Sequence, residues 1–511
     1  MKKLLSFSIV LVLLSATLHP APGQDFANVR VNHLTENRQS MYGGNSLVVH
    51  DGSIYVIWTD WSEQLPLFAY VSKSTDGGVT FEDGVAVSPD GIQMFCSMIA
   101  DDEGTLYVAW TGTPDGDSPD GIYFAKSTDG ATTFSEQLVI SPSGAFPQVA
   151  VHEEYVYIFF IKIEPVDDAD MSEWPVNYWF AKSADGGETF AEPFTINKEE
   201  LTFDIDHGGS IHVDEDGTVF LVWPEGRTEG GGSDLYFASS TDNGGSFGSP
   251  VMINDPEQYP GYERFGPALD VRGQHVYVAW ASDTDDDESE WDGNGIFFSK
   301  SSDGGTTFEQ AKRISYGLDL ANLKVSEKGI IYVAYPDWRG EDAYGLHLSV
   351  SNDGGSSFPD KKTRFISEAS YGAYGPSMYV ESAENDRVYF VWMDDRTGDH
   401  DIYFAQGEVS TEELTQVRDF AELPETIILH QNYPNPFNPV TNLQWDLETG
   451  QHVRLMVMDL LGREVATLTD RYYPAGVHAL PFDASGLSGG IYIYRLEAGD
   501  VSINKKMTLV K

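Results

Sequence analysis

An all-β chain is predicted, a seven-bladed β-propeller (six blades the alternative) followed by a small β-sandwich. Three observations predict it. An eight-residue turn motif recurs six times, and a strand of alternating character ending on an aromatic recurs seven times. The composition suits strands joined by tight turns, with 50 glycines and 13% aromatics among 511 residues, since glycine supplies the positive φ where strands reverse. A chain of this length accommodates one large domain and a smaller one.

The turn motif reads S-x-D-x-G-x-[ST]-F. Its copies are Ser74 to Phe81, Ser127 to Phe134, Ser183 to Phe190, Ser240 to Phe247, Ser301 to Phe308 and Ser351 to Phe358, with Ala131 the one departure at the glycine. The carboxylates of Asp76, Asp129, Asp185, Asp242, Asp303 and Asp353 can accept backbone N–H bonds inside the turn. The glycine takes a left-handed position, and the closing Phe buries against the sheet. The motif is identified as the Asp-box (BNR repeat) of sialidase-like propellers, in which it is structural and not catalytic.

The aromatic-ending strands are Ile54 to Trp58, Leu106 to Trp110, Val156 to Phe160, Val219 to Trp223, Val276 to Trp280, Ile331 to Tyr335 and Val388 to Trp392. The unit recurs every 50–60 residues or so, as four-stranded blades do. Within one unit, strand A is like Ser46–His50, B like Ile54–Trp58, C like Leu67–Ser72 and D like Val85–Val87, with the box as the C–D turn. The seventh unit ends on Asp401 to Ala405 with no box and no D strand. Asn28 to Asn32 reads like the D strand Val251 to Asn254 and is expected to complete that blade, closing the ring and removing two exposed edges.

Residues 1–23 read as a secretory signal, with Lys2 and Lys3 before the apolar Leu4 to Leu18 and small residues ahead of a cut before Gln24. No cysteine follows that cut to carry a lipid anchor, and no other apolar run is long enough to span a membrane. Cys96, the single cysteine, opens an apolar strand and is expected to be a buried structural residue. The propeller occupies 24–410, a polar, acidic linker 411–424, and a second domain 425–511. The formal net charge of −49 excludes nucleic acid and anionic membrane surfaces as partners, because both repel such a chain.

The second domain carries Leu429 to Thr441 with its Asn-Pro pairs, Val457 to Val465, the strand Gly489 to Leu496 and the basic end Lys505 to Lys511. Together, over about the last 85 residues, these resemble the type A C-terminal sorting domain of the type IX secretion system. The resemblance implies an Ig-like sandwich, recognition by the type IX machinery, export across the outer membrane, and attachment at the cell surface.

Ligands of propellers usually meet the face built from the D–A and B–C loops, opposite the boxes. The sialidase resemblance would imply an arginine trio, a tyrosine nucleophile with a glutamate, and an aspartate acid/base. No Arg-Ile-Pro occurs, Arg313-Ile314-Ser315 being the nearest, and no catalytic residue carries over by motif. Arg227, Arg339 and Arg396 follow the B-strand aromatic by four residues, and Glu225, Asp337 and Asp394 by two. Such recurrence reads as local ion pairs tying each B–C turn more than as an anion-binding ring.

Residues outside the repeat are the ligand-binding candidates, because the fold does not ask for them: Arg38, Tyr42, Asp204, Asp206, His207, Tyr262, Glu263, Arg264, Tyr371 and Tyr374. Aromatics with carboxylates and an arginine suit a sugar, by ring stacking and hydroxyl recognition. Two acidic loops, with Asp115 and Asp117 in one and Asp285 and Asp287 in the other, are candidate calcium ligands, though a solvated acidic run has the same composition. The expected function is binding of an extracellular glycan or polysaccharide. The alternatives are a sialidase-like glycoside hydrolase and an adhesive surface protein.

Overall fold

The computed structural model describes residues 28–32, 38–41, 45–61, 68–88, 92–113, 121–163, 175–197, 201–202, 208–227, 232–255, 262–283, 295–315, 320–337, 345–359, 364–366, 373–383, 385–396, 400–409, 427–432, 434–447, 451–459, 463–473, 476–499 and 501–510. They fall in two compact units, one within Met1–Asp337 and Gly345–Val409 and the other within Ser410–Lys511. The signal, the linker and both acidic loops lie outside the described residues.

Seven antiparallel sheets follow one another along the first unit, each with a four-strand path from inner to outer edge. Blade 1 runs Leu47–His50, Ser53–Trp61, Ala69–Ser74 and Val85–Ala86. Blade 2 opens with Ile92–Ala100, blade 3 with Ala145–His152, blade 4 with Ser210–Val213, blade 5 with Glu263–Arg272 and blade 6 with Asn322–Val325. Blade 7 runs Ala373–Glu381, Asp386–Asp394 and Asp401–Val409, and its fourth strand is Asn28–Arg30 from the other end of the chain. Val29 lies opposite Phe404, Arg30 Nη2 donates to Asp401 at 2.5 Å, and Asn32 both donates to Asp401 and accepts from the amide of Ile402. Blades 7 and 1 then share a core of Val56, Trp58, Val391 and Phe404, so the ring is closed.

The Asp-box explains how neighbouring blades lock. In the first box Asp76 Oδ1 accepts from Ser74 Oγ and from the amides of Val79 and Thr80 at 2.8–3.0 Å, and Oδ2 accepts from Thr80 Oγ1 at 2.7 Å. The Ser Oγ in turn accepts the amide of Gly78 at 2.9 Å. That geometry aims the box at the previous blade. Phe81 meets Phe404 edge to face, and Phe190 with Phe124, Phe308 with Phe237 and Phe358 with Phe298 repeat the contact at 4.9–5.3 Å. Such pairs contribute about 0.5–1.5 kcal/mol beyond area burial.

The same contact dictates the glycine. A Cβ on Gly78 would stand 2.2 Å from the Phe404 ring, and one on Gly305 2.0 Å from Phe237. The second box departs from glycine at Ala131, which holds φ 65°. Its counterpart on the previous blade, three residues ahead of Ser74, is Val71 rather than Phe, and Ala131 and Val71 share one core. The smaller side chain makes room for the methyl group.

The second unit is a sandwich of two sheets. One holds Ile428–Leu429, Val440–Leu447 and Gly476–Asp483, the other Glu464–Tyr473, Gln451–Met458, Gly490–Ala498 and Val501–Leu509. Trp445, Leu443, Leu455, Val457, Tyr494 and Leu496 fill the space between them. Tyr494 Oη is fixed by donating to the carbonyl of His430 and accepting the amide of Asn432.

Candidate functional site at the axis of the propeller

A cavity of about 560 Å³ is lined by residues in or leading into the innermost strands of blades 2 to 7, and by Asn45 just ahead of the innermost strand of blade 1. Successive side chains on a strand point to opposite faces, yet consecutive residues such as Val149, Ala150 and Val151 all line it. In the blades with such runs, the strand edge with its backbone N–H and C=O groups therefore faces the cavity alongside the side chains. Some of these groups tie blades together. Ser97 Oγ accepts the amide of Val149, and Ser377 Oγ that of Ser46.

Each of four inner strands carries a bulge at the same place, between Met94 and Ser97, Ala145 and Gln148, Phe265 and Ala268, and Tyr374 and Ser377. The bulge needs a residue at positive φ. Blades 5 and 7 use Gly266 (φ 55°) and Gly375 (φ 54°), whereas blades 2 and 3 place Phe95 (φ 49°) and Phe146 (φ 54°) there. A bulky residue in this region costs about 1–3 kcal/mol and marks sites of function more often than of packing. The two rings meet with centroids 4.2 Å apart at the cavity wall, both half-buried. Gly208 of blade 4 lets Phe146 come this close, for a Cβ there would lie 2.7 Å from that of Phe146.

A second cluster borders the same cavity. His212 Nδ1 of blade 4 stands 3.3 Å from Asp270 Oδ1 of blade 5, whose Oδ2 accepts the amide of Val325 of blade 6 at 2.6 Å. Burial lowers the pKa of His212 from its ordinary value, Asp270 opposes that, and the nearby charge of Lys324 reinforces it. His212 and Lys324 both line the cavity.

Of the predicted ligand residues, Tyr42, Asp204, Asp206, His207 and Tyr371 lie outside the described residues, as do Arg339 and the calcium candidates Asp115, Asp117, Asp285 and Asp287. Arg38 pairs with Trp61 in a short strand, its side chain outside the description. Tyr374 is half-buried, with its ring 5.5 Å from that of His400. Tyr262 and Glu263 are half-buried at the start of blade 5. Arg264 is buried, with Nη1 donating to the carbonyls of Ser233 and Tyr262 and lying 3.7 Å from Asp234. Burial draws its pKa down to about 10.

Arg227 binds Asp234 through two nitrogens at 2.8 and 2.5 Å, and Arg396 binds Asp394 in the same way while lying over the Tyr403 ring. Both guanidinium groups are thus held by local ion pairs. Cys96 is a buried free thiol, 3.9 Å from Thr59 Oγ1, and burial pushes its pKa up to about 12. Among the described residues no cluster of three metal-ligating side chains occurs. Phe95 and Phe146 were not among the candidates. Phe146 carries a signal, the proline that follows the bulge residue in Phe146-Pro147, Gly266-Pro267 and Gly375-Pro376, whereas Phe95 is followed by Cys96 and carries none.

Residues 431–510 match the family described as "Secretion system C-terminal sorting domain". The chain therefore carries the signal of a secreted, surface-attached protein that engages the type IX machinery of Bacteroidetes-type bacteria. No curated protein sequence matches it. Among solved structures, it is similar to a Dyadobacter fermentans protein of unknown function at 13% identity and TM-score 0.46, covering 76% of this chain and 100% of that one. A Trypanosoma rangeli sialidase in complex with sialic acid aligns at 11% identity and TM-score 0.43, covering 94% and 88%. An α-L-arabinofuranosidase of Fusarium graminearum in complex with an iminosugar inhibitor aligns at 12% and 0.43, covering 63% and 94%.

Proposed function

We propose that this secreted, cell-surface propeller binds an extracellular glycan in its axial cavity, with Phe95 and Phe146 as the stacking wall. The observation that carries the reading is the pair of rings held at positive φ where sibling blades use glycine. Strain of this kind persists only where the surroundings over-determine it. A sugar presents an apolar C–H face and a rim of hydroxyls. An aromatic wall suits the first, and strand-edge backbone groups with the amides of Asn45 and Gln148 suit the second. The volume lies within the roughly 300–1,000 Å³ usual for small-ligand sites.

The test is retention of the full-length protein on an array of plant, algal and bacterial glycans, followed by assay of each bound glycan for new reducing ends. Retention without turnover supports binding. Turnover favours the hydrolase reading, and no retention of any glycan overturns the proposal.

A further inference from the structure

The lining of the axial cavity inverts the charge of the rest of the chain. Acidic residues outnumber basic ones by 80 to 31 overall. Among the described residues the cavity wall nevertheless holds one lysine and one histidine, Lys324 and His212, and no aspartate or glutamate. Lys324 makes no ion pair among the described residues, whereas the equally half-buried Lys126 and Lys300 each meet a glutamate. Asp270 stands beside the cluster rather than on the wall. Its oxygens are occupied by the amides of Val271 and Val325 and by His212 Nδ1, at 2.9, 2.6 and 3.3 Å. It therefore orients the imidazole, turning Nε2 away from itself.

We propose that the ligand carries an oxyanion, a carboxylate or a sulfate ester, and that Lys324 and His212 receive it at the wall of the axial cavity. This rests on the glycan reading and names the class of glycan as acidic. Lys324 supplies a fixed charge. His212 accepts at Nε2 when neutral and donates there when protonated, so an anion at Nε2 favours the protonated ring. The groups that bear on this titration are Asp270 and Asp214, which favour the charged ring, and Lys324 and Arg272, which oppose it. Arg272 is itself fixed, with Nε and Nη2 donating to the carbonyl of Val325 at 3.1 Å. A bound anion adds to the first pair, so affinity for an acidic ligand rises as pH falls through the imidazole range. The net charge of −49 repels anions at a distance, but at physiological salt that repulsion is screened beyond about 8 Å. The local cations then decide.

The experiment measures affinity of the full-length protein for matched polymer pairs at pH 5.5, 6.5 and 7.5. Polygalacturonate against its methyl ester tests the carboxylate, and a sulfated galactan against its desulfated form tests the sulfate. The charged member of one pair is expected to bind about tenfold more tightly at pH 5.5, equivalent to about 1.4 kcal/mol, with a smaller advantage at pH 7.5. Lys324→Gln removes the advantage and Lys324→Arg keeps it. His212→Gln removes the pH dependence. Near-ultraviolet circular dichroism confirms that each variant is folded. Equal binding of charged and neutral members, or an advantage that survives Lys324→Gln, overturns the acidic ligand and leaves the glycan reading standing. Failure to bind any of the four polymers or any arrayed glycan overturns both.

Discussion

Phe95 and Phe146, on adjacent blades, lie with ring centroids 4.2 Å apart and planes tilted by 39°, each at a backbone position that the fifth and seventh blades fill with glycine. The arrangement spends stability on the cavity wall, although Phe146 also packs against the core between blades 3 and 4. Replacing either ring by glycine relieves about 1–3 kcal/mol of backbone strain and forfeits about 0.5–1.5 kcal/mol of ring pairing together with some burial. Phe95→Gly and Phe146→Gly are therefore expected to melt within a few degrees of the parent. A drop of more than about 10 °C in either would make the rings packing residues.

Arg264 behaves in the opposite way. Its guanidinium is buried against two carbonyls and Asp234, so Arg264→Ala strands polar groups that water cannot reach. The expected cost is about 2–4 kcal/mol, read as a lower urea midpoint. An unchanged midpoint would return Arg264 to the list of ligand contacts.

The box carboxylates set the acid limit. The amide and hydroxyl of Thr80 hold Asp76 down at about 2, those of Thr133 do the same for Asp129, and Asp185, Asp303 and Asp353 are also at about 2. A depressed folded pKa contributes stability that is present above the unfolded value, near 4, and is lost as pH falls toward 2. The melting temperature is expected to hold or rise from about pH 7 to pH 4.5, as the excess negative charge is titrated, and to fall between about pH 4 and pH 2. A steady fall beginning near pH 6 would contradict this.

Val71 and Ala131 are expected to be coupled. Val71→Phe alone drives a ring against the Ala131 methyl and costs about 1–3 kcal/mol by overpacking. Adding Ala131→Gly recreates the Phe–Gly contact that Phe404 and Gly78 make and restores most of the loss. Additive effects in the double variant would show that the two positions do not share space.

The Asp-boxes were legible in the sequence because the turn chemistry demands particular residue types at fixed spacing. The closing strand was legible because the seventh unit lacks one, and Asn32 repeats the role of Asn254, whose Oδ1 accepts the amide of Leu235. The axial site was not. Which way a side chain leaves a bulge depends on the sign of φ, so Phe95 and Phe146 look like ordinary strand aromatics; only Phe146 is followed by the proline that marks the bulge in blades 5 and 7, Phe95 being followed by Cys96. Arg264 stands among the ligand candidates because it lies outside the repeat. The structure makes it the second residue of the inner strand Glu263–Arg272, where the bulge sends its neighbours to new faces.

The most direct measurement is the affinity of the full-length protein for its best arrayed glycan, compared with that of the folded Phe95→Gly/Phe146→Gly double variant, by titration calorimetry. Stacking of one sugar face on the wall predicts at least about a tenfold loss, or 1.4 kcal/mol, with the melting temperature nearly unchanged. Equal affinity in the two proteins would place the ligand elsewhere and contradict the account.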